Sequence, residues 1–428
     1  MVEPVSGSKN DPKTSPPGLV AKFTPQFVRR WRHGRLEKQR LAQMQPFGRS
    51  IVAADAADSL GEDRGPEACI RDGLDWLLRA QAGSASGDGG VSRHYSLLDG
   101  WAPSYPETTG YIIPTLIREA RNLGDDRLRA SAKRMLDWLV SIQFAEGGFQ
   151  GGVMGEEPRV PVTFNTGQIL IGLAAGAERF EDSGYTAAMQ RAAGWLVATQ
   201  DEDGCWRKFP TPFAEFGEKA YETHVAWGLF EADRVSPGKG YGDAGLRQVT
   251  WALSCQRDNG WFDKCCLSDE TCPLTHTIGY VLRGLLEACR WKGSPEILAA
   301  CEKTAIPLLN CMRADGHIPA RLDSLWRPAA SYACLTGIAQ ISICWLMLYE
   351  FTGRRDYLEA ACRANRFVRR TVLRDIHPGV DGGVRGSFPV TGEYGRFQFL
   401  NWAAKFMIDA NRKETEMAAA ARAADGGV

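Results

Sequence analysis

One short pattern recurs along the chain: a tryptophan, four other residues and a glutamine, followed by a glycine-rich step. The clear copies are Trp76/Gln81, Trp138/Gln143, Trp195/Gln200 and Trp251/Gln256. Successive glutamines lie 62, 57 and 56 residues apart, and degenerate copies follow at Pro307/Met312 and around Phe367/Val372. A regular internal period indicates a repeat architecture. Six copies fill residues 66–412, and that number favours a closed ring.

Each repeat contains two different helical segments. In the third repeat, GYTAAMQRAAGWLVATQ has apolar residues at helical spacing, whereas ETHVAWGLFEADR is more uniformly apolar. The first is typical of an amphipathic outer helix and the second of an inner helix buried on most sides. We therefore predict an all-α fold, an (α/α)6 toroid of six helical hairpins. Its inner helices should begin near residues 108, 165, 222, 275, 335 and 396.

An open α-solenoid is the alternative arrangement of such repeats. A solenoid ends in a repeat with a polar outer face, but the sixth inner segment, FLNWAAKFMI, is apolar. The closed ring is therefore preferred.

The two ends of the chain differ from the repeats. Residues 1–18 are rich in Pro, Ser, Gly and Lys, which is typical of disorder. Residues 20–42 place Phe23, Phe27 and Trp31 at helical spacing among several arginines. Two interpretations stay open: a helix that contacts an anionic membrane surface or a partner protein, or an arm packed on the ring. We predict an N-terminal arm over 1–65 and a flexible tail over 413–428.

Charge and cysteine usage limit the partners and the compartment. Lys plus Arg and Asp plus Glu both number 51, so no global field favours nucleic acid. The N-terminus lacks the apolar core of a signal peptide. The 12 cysteines are scattered, as reduced thiols are, rather than spaced as a disulfide framework. We therefore expect a cytoplasmic protein.

The two kinds of connection point to one end of the ring. Connections from outer to inner segments are long, for example from Gln81 to Glu107 and from Gln200 to Glu222. Long loops are usually functional, and alternating hairpins put all of them at one end. The N-termini of the inner helices gather there, with free amides and partial positive charge. This mouth is the predicted active site, suited to an anionic or hydroxyl-rich ligand.

The mouth contains residues that exchange protons and residues that bind sugars. The catalytic candidates are His94, Tyr105, Glu107, His276 and Asp323. The substrate-binding candidates are Tyr95, Trp101, Asn165, Gln168, Glu222, Arg321, Trp326, Arg327, Tyr332, Gln340 and Arg396. Aromatic rings beside amides, carboxylates and imidazoles suit a saccharide, whose ring faces stack and whose hydroxyls need polar partners. We expect no cofactor and no metal.

Several candidates have a structural explanation as well. Glu107 and Glu222 stand where a carboxylate caps a helix. Asp323 lies between Arg321 and Arg327, where an ion pair is equally expected, and His276 equally fits a hydrogen-bonded core position. The functional reading requires that Tyr105, Glu107, His276 and Asp323 face one cavity.

The repeats resemble those of known families. The Trp–Gln spacing is similar to the QW-type repeats of squalene/hopene cyclases and prenyltransferase subunits, which implies a double ring of helices. The strings SYPETTGYIIPTL, FNTGQILIGL, PLTHTIGYVLRGLLEA and GSFPVTGEYGRFQFLNWAAKF more specifically resemble VpsJ-like, prenyltransferase-repeat or six-hairpin-glycosidase-like proteins of bacterial exopolysaccharide biosynthesis. That resemblance covers residues 66–412. It implies an enzyme acting on an acidic exopolysaccharide or its precursor.

Three reactions on such a saccharide stay open. Hydrolysis needs two carboxylates, for which Glu107, Glu222 and Asp323 are available. β-Elimination and C5-epimerisation of a uronate need a base for the C5 proton and groups that neutralise the uronate carboxylate. Amides, tyrosines and histidines outnumber carboxylates at the mouth, so a lyase or epimerase is favoured over a hydrolase.

Two other classes of function are the alternatives. Terpenoid cyclases, by the resemblance, initiate with a DxDD motif, which the sequence lacks. The related prenyltransferases hold zinc, and Cys265, Cys266, Cys272 and His276 cluster in one loop. That cluster lacks paired CxxC spacing, so free thiols are expected. A non-catalytic glycan-binding scaffold is the third class.

Overall fold

The computed structural model describes residues 41–212, 214 and 217–425. The chain divides into two units, Met1–Met44 and Gln45–Val428, and the larger unit contains all the elements described below. The predictions for residues 1–18 and for the basic segment 20–42 lie outside the described residues, apart from positions 41 and 42.

Six helical hairpins follow one short helix, α1 (Pro46–Ala56). In chain order the hairpins are α2 (Pro66–Ala82) with α3 (Pro106–Leu123), α4 (Asp126–Ile142) with α5 (Thr163–Arg179), α6 (Ser183–Thr199) with α7 (Thr223–Val235), α8 (Tyr241–Leu253) with α9 (Thr275–Lys292), α10 (Pro295–Cys311) with α11 (Leu335–Thr352), and α12 (Arg355–Arg369) with α13 (Asn401–Asp425). A 3-10 turn, Ala220–Glu222, precedes α7.

The hairpins form a closed double ring. Each inner helix packs against the next, from α3 through α5, α7, α9 and α11 to α13. The last helix, α13, also packs against α2 and α3 of the first hairpin. The first and sixth hairpins are therefore in contact, which confirms the predicted toroid and excludes the open solenoid.

The most apolar inner helix is α11. Of the described helices, α11 is the one that is long and apolar enough to cross a membrane, yet 78% of it is buried within the protein. Its side chains pack against α9, α12 and α13. A helix surrounded by other helices is apolar all round, so packing inside the ring accounts for its composition.

The repeated glutamine joins neighbouring outer helices. Gln143 follows the last residue of α4, and its side-chain amide donates to Gly147 O at 2.9 Å and to Ala188 O of α6 at 3.0 Å. Gln200 does the same one repeat later, to Gly204 O and to Ala244 O of α8, both at 2.9 Å. The glutamine thus fixes both its own loop and the next hairpin.

Gln81 and Gln256 make the equivalent contacts in the first and fourth repeats. The Gln81 amide donates to Gly89 O at 2.8 Å and to Ser131 O of α4 at 3.3 Å. The Gln256 amide donates to Ala300 O of α10 at 2.8 Å. One contact therefore recurs in the first four repeats, between an outer helix and the next outer helix.

The glycines four residues after Gln143 and Gln200 have a steric function. Gly147 and Gly204 adopt φ values of +111° and +94°, a region that favours glycine. A Cβ at Gly147 would collide with Arg191 O of α6, and one at Gly204 with Arg247 O of α8. Only glycine lets the loop approach the backbone of the next outer helix so closely.

Short strands at the mouth change one predicted boundary. Strand β1 (His94–Ser96) pairs with β2 (Gly100–Trp101) and with β5 (Gln398–Leu400), and β3 (Ala333–Cys334) pairs with β4 (Ser387–Phe388). Because β5 is occupied by pairing with β1, the sixth inner helix begins at Asn401. The predicted start near residue 396 is wrong.

The compact unit extends beyond residues 66–412 at both ends. Asp55 of α1 lies 3.1 Å from Arg385, and Asp63 lies 2.6 Å from Arg369, so the part of the N-terminal arm after Met44 packs on the ring. Helix α13 continues to Asp425 because no glycine or proline interrupts it before Gly426. Glu414 on it pairs with Arg369 at 2.9 Å. The predicted tail from residue 413 is therefore helical as far as residue 425.

Removal of one glutamine contact should destabilise the ring. Gln200→Ala leaves two backbone carbonyls without their donor, so we expect the free energy of unfolding to fall by about 1–3 kcal/mol. Urea denaturation measures the change. Gln190→Ala is the matched control, since this exposed glutamine of α6 makes one 3.3 Å bond to Ser236 and should change stability by about 0.5 kcal/mol or less. Equal losses in both variants would contradict the role given to the repeat.

Candidate active site

The long connections and the first turns of the inner helices enclose a cavity of about 630 Å³. This volume lies within the range of small-molecule binding pockets. Eight aromatic residues line it: Trp101, Tyr105, Tyr111, Phe164, Tyr221, Tyr280, Tyr394 and Trp402. The titratable and charged side chains Arg93, His94, Glu107 and His276 also line it. The predicted mouth is therefore a real cavity, and its walls combine aromatic rings with proton-exchanging groups.

The deepest carboxyl group belongs to Glu107 in the first turn of α3. Its side chain is 8% exposed, and Oε2 accepts a 2.5 Å hydrogen bond from the Tyr105 hydroxyl. Burial raises the pKa of Glu107 to about 7, although the bond from Tyr105 and the charge of Arg93 act in the opposite direction. A carboxyl with this pKa both holds and releases a proton near neutrality. Its partner is a tyrosine, so Glu107 is not explained as a helix cap.

Arg93 provides positive charge inside the cavity. Its guanidinium lies 5.1 Å from the ring centre of Trp402 and 5.7 Å from that of Tyr105, within cation–π range. It also lies 3.2 Å from Nδ1 of His94. Burial and the nearby Arg93 charge lower the pKa of His94 to about 4. His94 is therefore neutral near pH 7, and Arg93 is placed to attract an anionic group of a ligand.

His276 of α9 is held as a neutral imidazole. Its Nδ1 lies 2.7 Å from Oε1 of Gln340 on α11. An amide oxygen only accepts hydrogen bonds, so Nδ1 carries the proton and Nε2 keeps its lone pair. Burial lowers the pKa of His276 to about 4. The ring packs against Tyr280 at 4.4 Å and Tyr394 at 5.3 Å, which fixes a base in the cavity wall.

Three predicted substrate-binding amides lie behind the cavity wall. Gln340 orients His276, and Gln168 lies 2.5 Å from Nδ1 of the fully buried His224. Asn165 is buried and close enough to the Tyr105 hydroxyl to lower the pKa of that hydroxyl, which burial raises overall. All three lie on inner helices whose first turns are covered by the cavity residues. None of the three lines the cavity, each lies beside another polar side chain, and their contact with substrate stays a prediction.

The fifth loop does not reach the cavity. Asp323 accepts hydrogen bonds from the backbone amides of Leu325 and Arg327, at 3.0 and 2.9 Å, and its carboxylate lies 2.7 Å from the Arg327 guanidinium. This ion pair joins two residues that are four positions apart in the loop and so closes a tight turn between them. The prediction that Asp323 faces the same cavity as Glu107 is wrong, and Arg327 is equally removed from it.

Trp326 and Arg321 stabilise the same loop. Trp326 adopts a φ of +62°, donates from its indole to Asn259 O at 3.0 Å and packs edge-on against Trp261. Arg321 donates to Cys272 O at 2.8 Å. Neither side chain lines the cavity, and their predicted contact with substrate stays a prediction.

Three further substrate-binding candidates do not line the cavity. Neighbouring side chains of a strand point to opposite faces, so His94 faces the cavity while Tyr95 packs behind it against Trp101 and His377. Tyr332 packs with Leu274, Ala320 and Cys334. Arg396 is exposed, 5.2 Å from the Phe397 ring.

The remaining two substrate-binding candidates line different cavities. Trp101 lines the main cavity, as predicted, whereas Glu222 lines a smaller cavity next to it.

The cysteine-rich loop is not arranged around a metal. Cys265 and Cys266 are buried, Cys272 donates to Asp269 at 2.9 Å, and His276 is bound to Gln340. Among residues 41–212, 214 and 217–425, no group of three or more His, Cys, Asp or Glu side chains could hold a metal ion. The twelve cysteines are free thiols in this structure.

Sequence reasoning missed several cavity residues, among them Arg93, Tyr221 and Trp402. Trp402 had a usable signal, because it lies in the first turn of the sixth inner helix. Arg93 could not be assigned, because its side-chain direction is set by the pairing of β1 with β5.

Solved structures with a similar fold include three saccharide enzymes. The first is an unsaturated glucuronyl hydrolase specific for heparin, with a TM-score of 0.66 and 16% identity over 82% of this chain and 97% of that one. The second is the unsaturated glucuronyl hydrolase of Bacillus sp. GL1, with a TM-score of 0.65 and 14% identity over 81% and 96% of the two chains. The third is cellobiose 2-epimerase from Bacillus thermoamylovorans, with a TM-score of 0.64 and 10% identity over 80% and 98%.

The TM-scores show a shared fold, that of the six-hairpin glycosidase-like toroid, and at such low sequence identity they show the fold alone. No protein-family model matches the chain, and no curated protein sequence matches it. The resemblance to VpsJ-like and prenyltransferase-repeat proteins stays a prediction.

The buried Glu107 carboxyl should make stability depend on pH. Its pKa in the folded chain, about 7, lies above its ordinary value of 4.5, so the folded state binds this proton more tightly than the unfolded state. Its stabilising contribution is complete below pH 4.5 and is lost as the pH rises through 7. Glu107→Gln removes this titration.

The Gln variant should therefore gain roughly 3 kcal/mol relative to the wild type between about pH 4 and about pH 8. Urea denaturation of both proteins at the two pH values measures this difference. A difference that stays constant with pH would show that Glu107 titrates normally.

Proposed function

We propose that this protein is an enzyme that moves a proton at a carbon atom of an acidic saccharide, as a lyase or a C5-epimerase acting on a uronate. The observation that carries the proposal is the pairing of Tyr105 with buried Glu107 in the same aromatic cavity as the neutral imidazole of His276. A saccharide fits the walls, since sugar ring faces stack on aromatic rings. The cavity volume suits a short segment of an oligosaccharide.

The residues can be given complementary roles. His276 Nε2, which bears a lone pair, would take the proton from C5 of the uronate. Arg93 would pair with the uronate carboxylate and so stabilise the negative charge that develops beside C5. Glu107, protonated below about pH 7, would return a proton. The Tyr105 hydroxyl donates to Oε2 of Glu107 and would hold this carboxyl in position while its other oxygen carries the proton.

The destination of the second proton distinguishes the two reactions. In epimerisation, the electrons left on C5 take a proton from the opposite face of the ring. In β-elimination, those electrons form the C4=C5 double bond, the C4–O bond breaks, and the departing oxygen takes the proton from Glu107. Both reactions need one base and one acid, which His276 and Glu107, on two different inner helices, would supply.

Hydrolysis is the second candidate, favoured by the likeness to glucuronyl hydrolases in fold. It requires two carboxyl groups beside the scissile bond. Among the described residues, the carboxyl groups that line the cavity are those of Asp99, Glu107 and Glu156. Glu107 is buried, whereas Asp99 and Glu156 are exposed. Proton transfer to and from the substrate by His276 and Glu107 therefore has better support than a two-carboxylate mechanism.

The terpenoid alternative requires a cavity nearly free of charge. The aromatic lining agrees with that alternative, but Arg93, Glu107 and two imidazoles share the same space. An arginine and an acidic residue beside a hydrocarbon chain would be desolvated without gain. The polar groups therefore favour a saccharide.

Isotope exchange should reveal the reaction. We expect wild-type protein incubated with polygalacturonate, polymannuronate or heparosan in deuterated water to place deuterium at C5 or to form an unsaturated uronide. NMR and ultraviolet absorbance record the two products. Glu107→Gln and His276→Ala should lose at least about 100-fold in turnover, the size typical of acid–base catalysis.

Asp323→Asn is the control, because Asp323 is removed from the cavity and should keep wild-type turnover. New reducing ends without deuterium or unsaturation would assign hydrolysis. Binding without any turnover would leave a scaffold protein and reject the enzyme.

The pH profile of kcat/KM should be bell-shaped. The base His276 must be neutral, and its pKa is about 4, whereas the acid Glu107 must be protonated, and its pKa is about 7. Activity should therefore fall below about pH 4 and above about pH 7. Initial rates at low substrate concentration measure the two limbs. A profile that rises through pH 7 would instead make Glu107 the base.

A further inference from the structure

A second, smaller cavity of about 150 Å³ adjoins the active-site cavity. Its lining includes Trp206, Pro210, Lys219 and Glu222, and it shares Thr211 with the larger cavity. Tyr221 and Glu222 are neighbours in the same 3-10 turn, and each lines one of the two cavities. A chain-like ligand could therefore occupy both cavities at once.

A lysine and a glutamate in the smaller cavity each have a buried polar atom that makes no hydrogen bond to the described residues. Lys219 is 4% exposed and Glu222 is 6% exposed. Among the described residues, neither the ammonium nitrogen of Lys219 nor Oε2 of Glu222 has a hydrogen-bond partner, and both atoms are buried. An ammonium group buried without a partner destabilises a protein by several kcal/mol. A ligand that enters the cavity would supply the missing contact.

The neighbouring cations are already neutralised. Arg207 donates to the carboxylates of Asp201, Asp203 and Glu218, and Lys264 lies 2.9 Å from Glu218. Lys219 therefore differs from the other basic residues around this cavity. Among the described residues that line this cavity, Lys219 is the basic side chain without a hydrogen-bonded carboxylate, so its charge can pair with an anion that enters.

Glu222 supplies hydrogen bonds beside that charge. Burial raises the pKa of Glu222 to about 8, against the opposing effects of Lys219 and Arg207. A protonated carboxyl both donates and accepts hydrogen bonds. Together with the Trp206 wall, the cavity therefore offers a cation, a neutral carboxyl group and an aromatic surface. These groups match a sugar ring that carries an anionic substituent and hydroxyls.

We propose that the cavity formed by Lys219 and Glu222 is a second sugar subsite, which binds an acidic unit adjacent to the unit processed between Glu107 and His276. This inference rests on the proposed function, and it narrows the substrate to an oligosaccharide with anionic groups on two neighbouring units. The anionic group is a carboxylate or a sulfate. Lys219 binds it, and Glu222 bonds to the hydroxyls of the same ring.

Binding tests the subsite without requiring turnover. Titration calorimetry uses glucuronate, glucose 6-sulfate and glucose, with the full-length Arg93→Met variant as the starting protein so that the larger cavity lacks its cation. We expect glucuronate or glucose 6-sulfate to bind better than glucose. The tighter of the two identifies carboxylate or sulfate. Adding Lys219→Met should weaken binding of that anion at least tenfold.

Lys208→Met is the matched control, since Lys208 lies in the same loop but is 58% exposed and 3.9 Å from Asp201. It should leave binding unchanged. Glu222→Leu, which removes both hydrogen-bonding oxygens, should weaken binding of the anionic sugar and of glucose alike, and it provides a second test if Lys219→Met does not fold. Equal affinities in the presence and absence of Lys219, or no anion preference, would overturn the proposal.

Kinetics with otherwise wild-type protein separate this proposal from the proposed function. Lys219→Met should raise KM at least tenfold for a disaccharide of two acidic units, with kcat unchanged. For a disaccharide whose second unit is neutral, KM should not change. A fall in kcat, or equal effects on both substrates, would make Lys219 structural. If the wild type turns over neither substrate, the proposed function fails, and the calorimetry still decides the subsite.

Discussion

The bond from each repeated glutamine to the next outer helix is the contact on which the ring depends. Gln143 and Gln200 each tie the start of a long loop to a backbone carbonyl of the following hairpin. The glycine four residues later lets the loop touch that helix. Because the same contact recurs, successive hairpins take the same relative orientation, and the inner helices begin at one end. The cavity is a consequence of this regularity, since the side chains of several first turns converge there.

Convergence also explains the unusual protonation of the cavity. Glu107 and His276 lie on different inner helices and are enclosed by aromatic rings, so burial favours the neutral form of both. The fold offers each side chain one neutral partner, Tyr105 for the carboxyl and Gln340 for the imidazole. Neutral partners fix direction without restoring normal pKa values. An acid and a base can then coexist uncharged in a small space, which a proton-transfer enzyme requires.

The sequence predicted the features that depend on the period of the repeat and on the position of a residue along its helix. The double ring, five of the six inner-helix starts, and the presence of Glu107 and His276 in the cavity follow from counting along the chain. Contacts made by distant or competing partners were not predictable. The sixth helix starts late because β5 pairs with a strand 300 residues earlier in the chain. Asp323 forms an ion pair with Arg327. The pairing of β1 with β5 decides which face of β1 carries His94.

The most direct test of the account is the protonation of Glu107 itself. Carbon NMR of the glutamate side chains, assigned with Glu107→Gln, reports the pH at which this carboxyl titrates. The account predicts a midpoint near the value of about 7 that burial gives, and a change in that resonance when glucuronate is added. A midpoint near the ordinary 4.5, unaffected by glucuronate, would contradict the assignment of this cavity as a proton-transfer site.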